Sequence, residues 1–274
     1  MNHNMQISFI GGGNMASAIL SGLKNNGFSM SAIQVIEPDA EKRAALTSQF
    51  GVLTYAHYVA MPDTSAQIIV LAVKPQQMRT VCEQLKAKLS KQLVISIAAG
   101  IRTGELSRWL NDYTAIVRVM PNTPAQIQAG VSALYAMPGV QAAQREQAKR
   151  ILDAIGLSLW LDDETKMDAV TAISGSGPAY VFYLIEALRD AAIVLGLNPA
   201  EANLLAMQTF SGASLLAQQA NSDIQTLRAQ VTSKGGTTEQ GILSLESAHI
   251  KQIILAAATA AAKKSKMLGD ELAN

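Results

Sequence analysis

Near the N-terminus, Gly11-Gly12-Gly13-Asn14-Met15-Ala16 reads as G-x-G-x-x-A and follows an apolar run ending at Ile10. Glycines let a chain leave a strand in a sharp turn and let a pyrophosphate reach the start of the next helix. The alanine lets that helix pack closely on the strand. A purely structural strand–helix turn can produce the same letters. This one, however, follows the first predicted strand, opens a helix and precedes a second strand on schedule. It points to a dinucleotide, with Ile10, Gly11, Gly12, Gly13, Asn14 and Met15 around its phosphates. Glu37, ending the second predicted strand, stands where a carboxylate accepts hydrogen bonds from ribose hydroxyls, which favours NAD; the plainer reading is a solvated acid. Glu37 would repel a 2′-phosphate unless its side chain turned away, while Lys42 and Arg43 supply positive charge a turn later. NAD and NADP both stay open.

In an open α/β sheet, ligands lie outside the carboxyl ends of the strands. Three such ends carry distinctive loops: Ala72-Val73-Lys74-Pro75, Ile97-Ala98-Ala99-Gly100 and Met120-Pro121-Asn122-Thr123-Pro124. Small residues in the first two leave room for a dinucleotide. The prolines around Asn122 would fix a rigid polar loop near the nicotinamide, and ordinary turn chemistry is the alternative. Later, Ser174-Gly175-Ser176-Gly177-Pro178 reads as a tight turn feeding a long helix. Ser233-Lys234-Gly235-Gly236-Thr237-Thr238 reads as a loop opening another. Thr237 and Gln240 have capping-box spacing, and the free amides of such a helix start also suit a carboxylate.

The elements that must hold these residues alternate in the first half. Strands are predicted at Gln6–Ile10, Ile33–Glu37, Gln67–Val73, Leu93–Ala99, Ala115–Val119, Ser132–Ala136 and Ser158–Leu161. Helices are predicted at Met15–Asn25, Ala40–Phe50, Gln76–Leu89, Gly104–Leu110 and Gln141–Ile155. Right-handed βαβ crossovers would make this a doubly wound α/β sheet of the Rossmann type. From Tyr180 to Leu268 the pattern is helical, with Pro178–Leu195 ending at Gly196, a second helix opened by Asn198-Pro199, and a last one at Ile250–Met267. Several of these are apolar over more than one stripe, which calls for a second subunit to cover them. The expected division is 1–163 for the dinucleotide-binding domain and 164–274 for an all-α dimerisation and substrate-binding domain.

The 274 residues are 49% hydrophobic and 16% charged, a globular composition, and the net charge of +1 gives no reason to expect nucleic acid or an acidic membrane. One cysteine, Cys82, excludes an internal disulfide and fits a cytoplasmic location. Three scattered histidines, His3, His57 and His249, offer no metal site. Neither a signal peptide nor a membrane span is read, because the apolar stretch Ile253–Ala262 is too short to cross a bilayer.

Taken in order, Phe9–Ala16, Ala72–Pro75, Met120–Pro124, Ser174–Tyr180 and Ser233–Thr238 make the sequence resemble the pyrroline-5-carboxylate reductase family. The last two motifs are the more specific. The resemblance implies reduction of 1-pyrroline-5-carboxylate to L-proline, the last step of proline biosynthesis, with NADP or NAD as cofactor. It also implies a homodimer, or a larger assembly built of dimers. By the same resemblance, Gly11, Gly13, Asn14 and Met15 match the pyrophosphate turn, and Ala72, Val73, Lys74, Pro75, Ile97, Ala98 and Ala99 line the cofactor, with Asn122 and Pro178 completing the candidates. Ser233, Gly235, Gly236, Thr237 and Thr238 match the substrate-carboxylate loop, and Thr238 is the expected catalytic residue, bonded to the ring nitrogen. Two positions differ from the pattern. His57-Tyr58 occupies a stretch where the family often carries an asparagine, and NADPH-using members tend to have small hydroxyl residues near Glu37. Rival readings are a β-hydroxyacid dehydrogenase and a non-catalytic dinucleotide sensor. The first wants a lysine that Gly177–Leu195 lacks; the second would not need Ser233–Thr238.

Overall fold

A computed structural model describes residues 5–57 and 66–273. The chain divides into two units, residues 1–176 with 261–274, and residues 177–260. In the first, strands and helices alternate: β1 (Ile7–Ile10), α1 (Asn14–Asn25), β2 (Ile33–Ile36), α2 (Ala40–Phe50), β3 (Leu53–Tyr55), β4 (Ile68–Leu71), α3 (Pro75–Leu85), β5 (Leu93–Ser96), α4 (Thr103–Trp109), β6 (Ile116–Met120), β7 (Gly130–Ala136), α5 (Ala142–Asp153) and β8 (Gly156–Trp160). They form one sheet in the order β3-β2-β1-β4-β5-β6-β7-β8, which is the Rossmann order over its first six strands.

The central strands β1, β4, β5 and β6 are rich in β-branched residues and buried on both faces. Ile7, Phe9, Ile68 and Val70 pack on one side with Ile19, Leu20 and Leu23 of α1. Ile10, Ile69 and Leu71 face the other side with Met78, Cys82 and Leu85 of α3. This is the period of two expected of a pleated strand, and each such side chain stabilises the fold by about 1.5–3 kcal/mol. Helix boundaries follow local chemistry. The Asp39 side chain caps α2 by accepting from the amides of Glu41 and Lys42, and Gly51 ends it in the left-handed region at φ 74. Burial pushes the Cys82 thiol up to about 12, so it stays protonated and unreactive at neutral pH.

Three features depart from the sequence-based expectation. Strand β3 is only three residues long and pairs parallel with β2, too short for a periodic signal. Strand β7 runs antiparallel to β6; the two are joined by a short 3-10 turn, Thr123–Ile127, and a parallel crossover needs about a dozen residues or more. Ser174–Pro178 is not a tight turn. Helix α6 (Met167–Val170) runs on as a π-helical turn over Thr171–Gly175, closed by Ser176 N–H donating to the Thr171 carbonyl at 2.8 Å.

Arg118 of β6 is buried and pairs with Glu164 at 2.9 Å. Glu164 also accepts from Thr103, at 2.8 Å from its amide and 2.6 Å from its hydroxyl. A buried charge survives when its partners are this complete.

The second unit holds α7 (Gly177–Val194), α8 (Pro199–Gln219), α9 (Ile224–Gln230), α10 (Thr237–Ser247) and the first part of α11 (Ile250–Ala273). Asn198 and Glu201 form a capping box at the start of α8. Large apolar side chains stand in the open: Phe182 is 65% exposed, Tyr183 71%, Leu204 67% and Leu255 67%. No helix among the described residues is long and apolar enough to cross a membrane.

Helix α1 lies so close to the α5–β8 turn that a Cβ on Gly22 would sit 2.2 Å from the Ala154 carbonyl oxygen. Alanine in a helix interior ordinarily gains about 1 kcal/mol over glycine, whereas overpacking costs about 1–3 kcal/mol. Gly22→Ala should therefore lower the urea midpoint at unchanged slope, and a raised midpoint would mean the contact is absent.

Candidate functional site

The carboxyl ends of β1, β2 and β4 open into a cleft of about 870 Å³. It brings together Ile10, Gly11, Gly13, Glu37, Ala72, Val73 and Lys74 from among the expected cofactor residues. Their meeting is set by the backbone. Gly11 N–H donates to the Ile36 carbonyl at 2.8 Å, and Ala72 N–H donates to the Ile10 carbonyl at 2.8 Å. Gly11 has φ 101, and a Cβ there would meet the Ala72 carbonyl oxygen at 2.6 Å. Only glycine suits both the torsion and the approach.

Gly13 is the opposite case. It is exposed, and a Cβ on it would meet nothing within 4 Å. It stands at the N-terminus of α1, where no side chain supplies a cap, so the first amides of a twelve-residue helix point outward unclaimed by any side chain. An open glycine beside an uncapped helix start is what a pyrophosphate requires. The residues present fit a dinucleotide.

Glu37 is nearly buried at 9% exposure, and its carboxylate braces the turn. Oε2 accepts from Gly12 N–H at 2.9 Å, and Oε1 from Asp39 N–H at 3.1 Å. Lys42, Asp39 and His57 also line the cleft; Tyr58, named with His57 in the sequence, lies outside the described residues. The opposite wall, unanticipated, is the polar stripe Gln76, Thr80 and Gln84 on α3. Its spacing of four is a helical face, legible as such but not as a cleft wall.

The remaining expected cofactor residues do not line this cleft. Asn14 and Met15 begin α1, and Pro75 begins α3. Ile97, Ala98 and Ala99 follow β5, with Ile97 N–H bonded to the Leu71 carbonyl at 3.2 Å. The Asn122 side chain is used internally, accepting from Val131 N–H at 2.9 Å. Pro178 belongs to the first turn of α7, in the second unit.

The loop Ser233–Thr238 also lies in the second unit. Helix α10 is N-capped by Gly236, and Glu239 reaches back to accept from Gly235 N–H at 2.7 Å. The Thr237–Gln240 capping box is therefore not formed, since the helix starts a residue earlier than that pairing needs. Gly236 N–H donates to the Ser233 carbonyl at 3.0 Å. With both glycine amides engaged inside the loop, Thr237 and Thr238 bear the first amides of the helix, those that have no intrahelical partner. Both side chains are exposed.

A family model described as pyrroline-5-carboxylate reductase dimerisation matches residues 164–268, and one described as NADP oxidoreductase, coenzyme F420-dependent, matches residues 6–100. The pyrroline-5-carboxylate reductase of Pseudomonas aeruginosa is 43% identical to this chain, over 97% of it and 98% of its relative. This chain belongs to the pyrroline-5-carboxylate reductase family. A solved family structure from Coxiella burnetii superposes with a TM-score of 0.91 at 41% identity, covering 97% of this chain and 98% of that one. The Plasmodium falciparum pyrroline carboxylate reductase, solved with NADP bound, gives 0.85 at 30% identity, covering 97% and 99%.

The open position of Gly13 makes a selective test. Gly13→Val should weaken binding of reduced nicotinamide nucleotide by about tenfold or more, while the melting temperature stays within a few degrees of wild type. Unchanged affinity would move the pyrophosphate away from this turn.

Proposed function

We propose that this chain reduces the C=N bond of 1-pyrroline-5-carboxylate to give L-proline, the last step of proline biosynthesis, with NAD(P)H as cofactor. The observation that carries the reading is the cleft at Gly11–Gly13, fitted to a dinucleotide, in a chain alike over nearly its whole length to reductases of this name. Residues 1–163 serve the dinucleotide, and residues 164–274 serve dimerisation and the substrate. The exposed apolar faces of α7, α8 and α11 suit a homodimer, which larger assemblies can repeat. Nothing in the charge balance calls for nucleic acid or membrane partners, and the work is placed in the cytoplasm.

When bound, NAD(P)H supplies the hydride. The chain would hold its pyrophosphate at Gly11, Gly13, Asn14 and Met15, and its nicotinamide half beside Ala72–Pro75, Ile97–Ala99 and Asn122. The loop Ser233–Thr238 takes the substrate carboxylate on the free amides at the start of α10. The Thr238 hydroxyl orients the ring nitrogen. A cyclic imine protonated at nitrogen is already electrophilic at C5, so accepting hydride there leaves a neutral secondary amine and no strong general acid is needed. Most of the acceleration comes from holding C5 at reacting distance, and such proximity contributes about 7–11 kcal/mol.

Loss of nicotinamide absorbance with racemic 1-pyrroline-5-carboxylate tests the reaction; folded, nucleotide-binding protein that shows no turnover would reject the substrate. Thr238→Ala should lower kcat/KM about tenfold or more, in line with about 1.4 kcal/mol for one hydrogen bond. An unchanged value would remove Thr238 from the mechanism.

A further inference from the structure

We propose that this cleft selects NADH over NADPH, with Glu37 and Asp39 as the discriminating residues. The inference rests on the reductase reading for its cofactor class and adds the preference. A 2′-phosphate needs a free cation, ideally a forked guanidinium, or an unoccupied helix start. Three groups at the end of β2 could have offered one.

The first is Arg43. Its Nη1 donates to the backbone carbonyls of Glu37 at 2.7 Å and Pro38 at 2.6 Å, so it ties down the loop that follows β2. The second is the N-terminus of α2. There Asp39 Oδ1 already accepts from the amides of Glu41 at 2.9 Å and Lys42 at 3.1 Å, so an anion occupies the helix start. These bonds, that from Lys42 foremost, hold the Asp39 carboxyl below its usual range, so it stays charged at neutral pH. The third is Lys42, which lines the cleft. Its positive charge acts on Asp39, as does that of Arg43, so the neighbouring carboxylate offsets it.

Glu37 then decides the sign. Glu37 lines the cleft, and its carboxylate is fixed by the amides of Gly12 and Asp39. An ionised carboxylate has about four acceptor sites, and the two amides take one on each oxygen. What is left can only accept. A ribose diol donates two hydroxyls and suits it. A 2′-phosphate, carrying about −1.5 to −2 charge at pH 7, brings acceptors against acceptors and negative charge against two carboxylates.

The test is equilibrium titration of the whole chain with NADH and with NADPH, without substrate, followed by the fluorescence of the reduced nicotinamide. Wild type should bind NADH at least about tenfold more tightly. Glu37→Gln keeps an oxygen for Gly12 N–H and loses the charge; Asp39→Ser keeps a helix cap and loses the charge. Each should narrow the ratio, chiefly by tightening NADPH, with melting curves run alongside to show that both variants are folded. Equal or tighter NADPH binding by wild type, or a ratio unmoved in both folded variants, overturns the proposal. Failure of folded wild type to bind either nucleotide overturns it together with the reductase reading. Selective NADH binding without turnover of 1-pyrroline-5-carboxylate supports it while rejecting only the substrate.

Discussion

Parallel pairing sets Ile10 level with Ile36 on one side and with Leu71 on the other, so three neighbouring chains leave the sheet at one height. The residues that follow, Gly11, Glu37 and Ala72, continue the backbone ladder one step beyond the strands. Everything at the cleft depends on that step. Gly11 can lie against the Ala72 carbonyl only at this register, and the Glu37 carboxylate can meet the Gly12 amide only because β2 ends beside the glycine turn. Side chains alternate faces along a strand, so a slip of one residue would carry Glu37 to the other side of the sheet.

The register is in turn held from both faces. Period-two alternation sends Phe9 and Val70 to one layer of helices and Ile10 and Leu71 to the other, and an offset would bury the wrong set. The polar interior is equally committed. Arg118 sits in the middle of β6 and is tolerated because Glu164, itself held by Thr103, neutralises it. The second unit works by a different rule. Its helices leave Phe182, Tyr183 and Leu204 in the open, and only Ala202 and Ala206 of α8 are buried. Such exposed apolar faces suit a partner surface, in keeping with a family model described by dimerisation.

Much of this was legible in the sequence, for reasons that can be traced. Helix α2 covers the predicted Ala40–Phe50, and the structure shows what bounds it: Asp39 caps its start and Gly51 gives the left-handed stop. The buried strands announced themselves as β-branched runs ending at turn residues. Strand β3 did not, since Leu53-Thr54-Tyr55 is too short to alternate, and the reversal at β7 is a property of a connection length, not of the strand. At the cleft, glycine spacing and the acid ending β2 were visible. The committed state of Arg43, the α3 stripe as a wall and the reach of Glu239 back to Gly235 were not, because each is fixed by a side-chain direction that no spacing encodes.

One feature of the C-terminus bears on how the chain is made. The chain leaves the first unit at Ser176 and comes back to it at Ala261. There the last turns of α11 rejoin it, with Ser265 donating to Asp168 at 2.7 Å, Arg102 donating to Asp270 at 2.6 Å, and Gly269 packed against Gly100. On the ribosome, domains ordinarily close as they emerge, N-terminal first. Here the first unit has all its strands early, yet the piece that packs on Gly100 follows the whole of the second unit in sequence. Its seating therefore waits until the second unit has been synthesised.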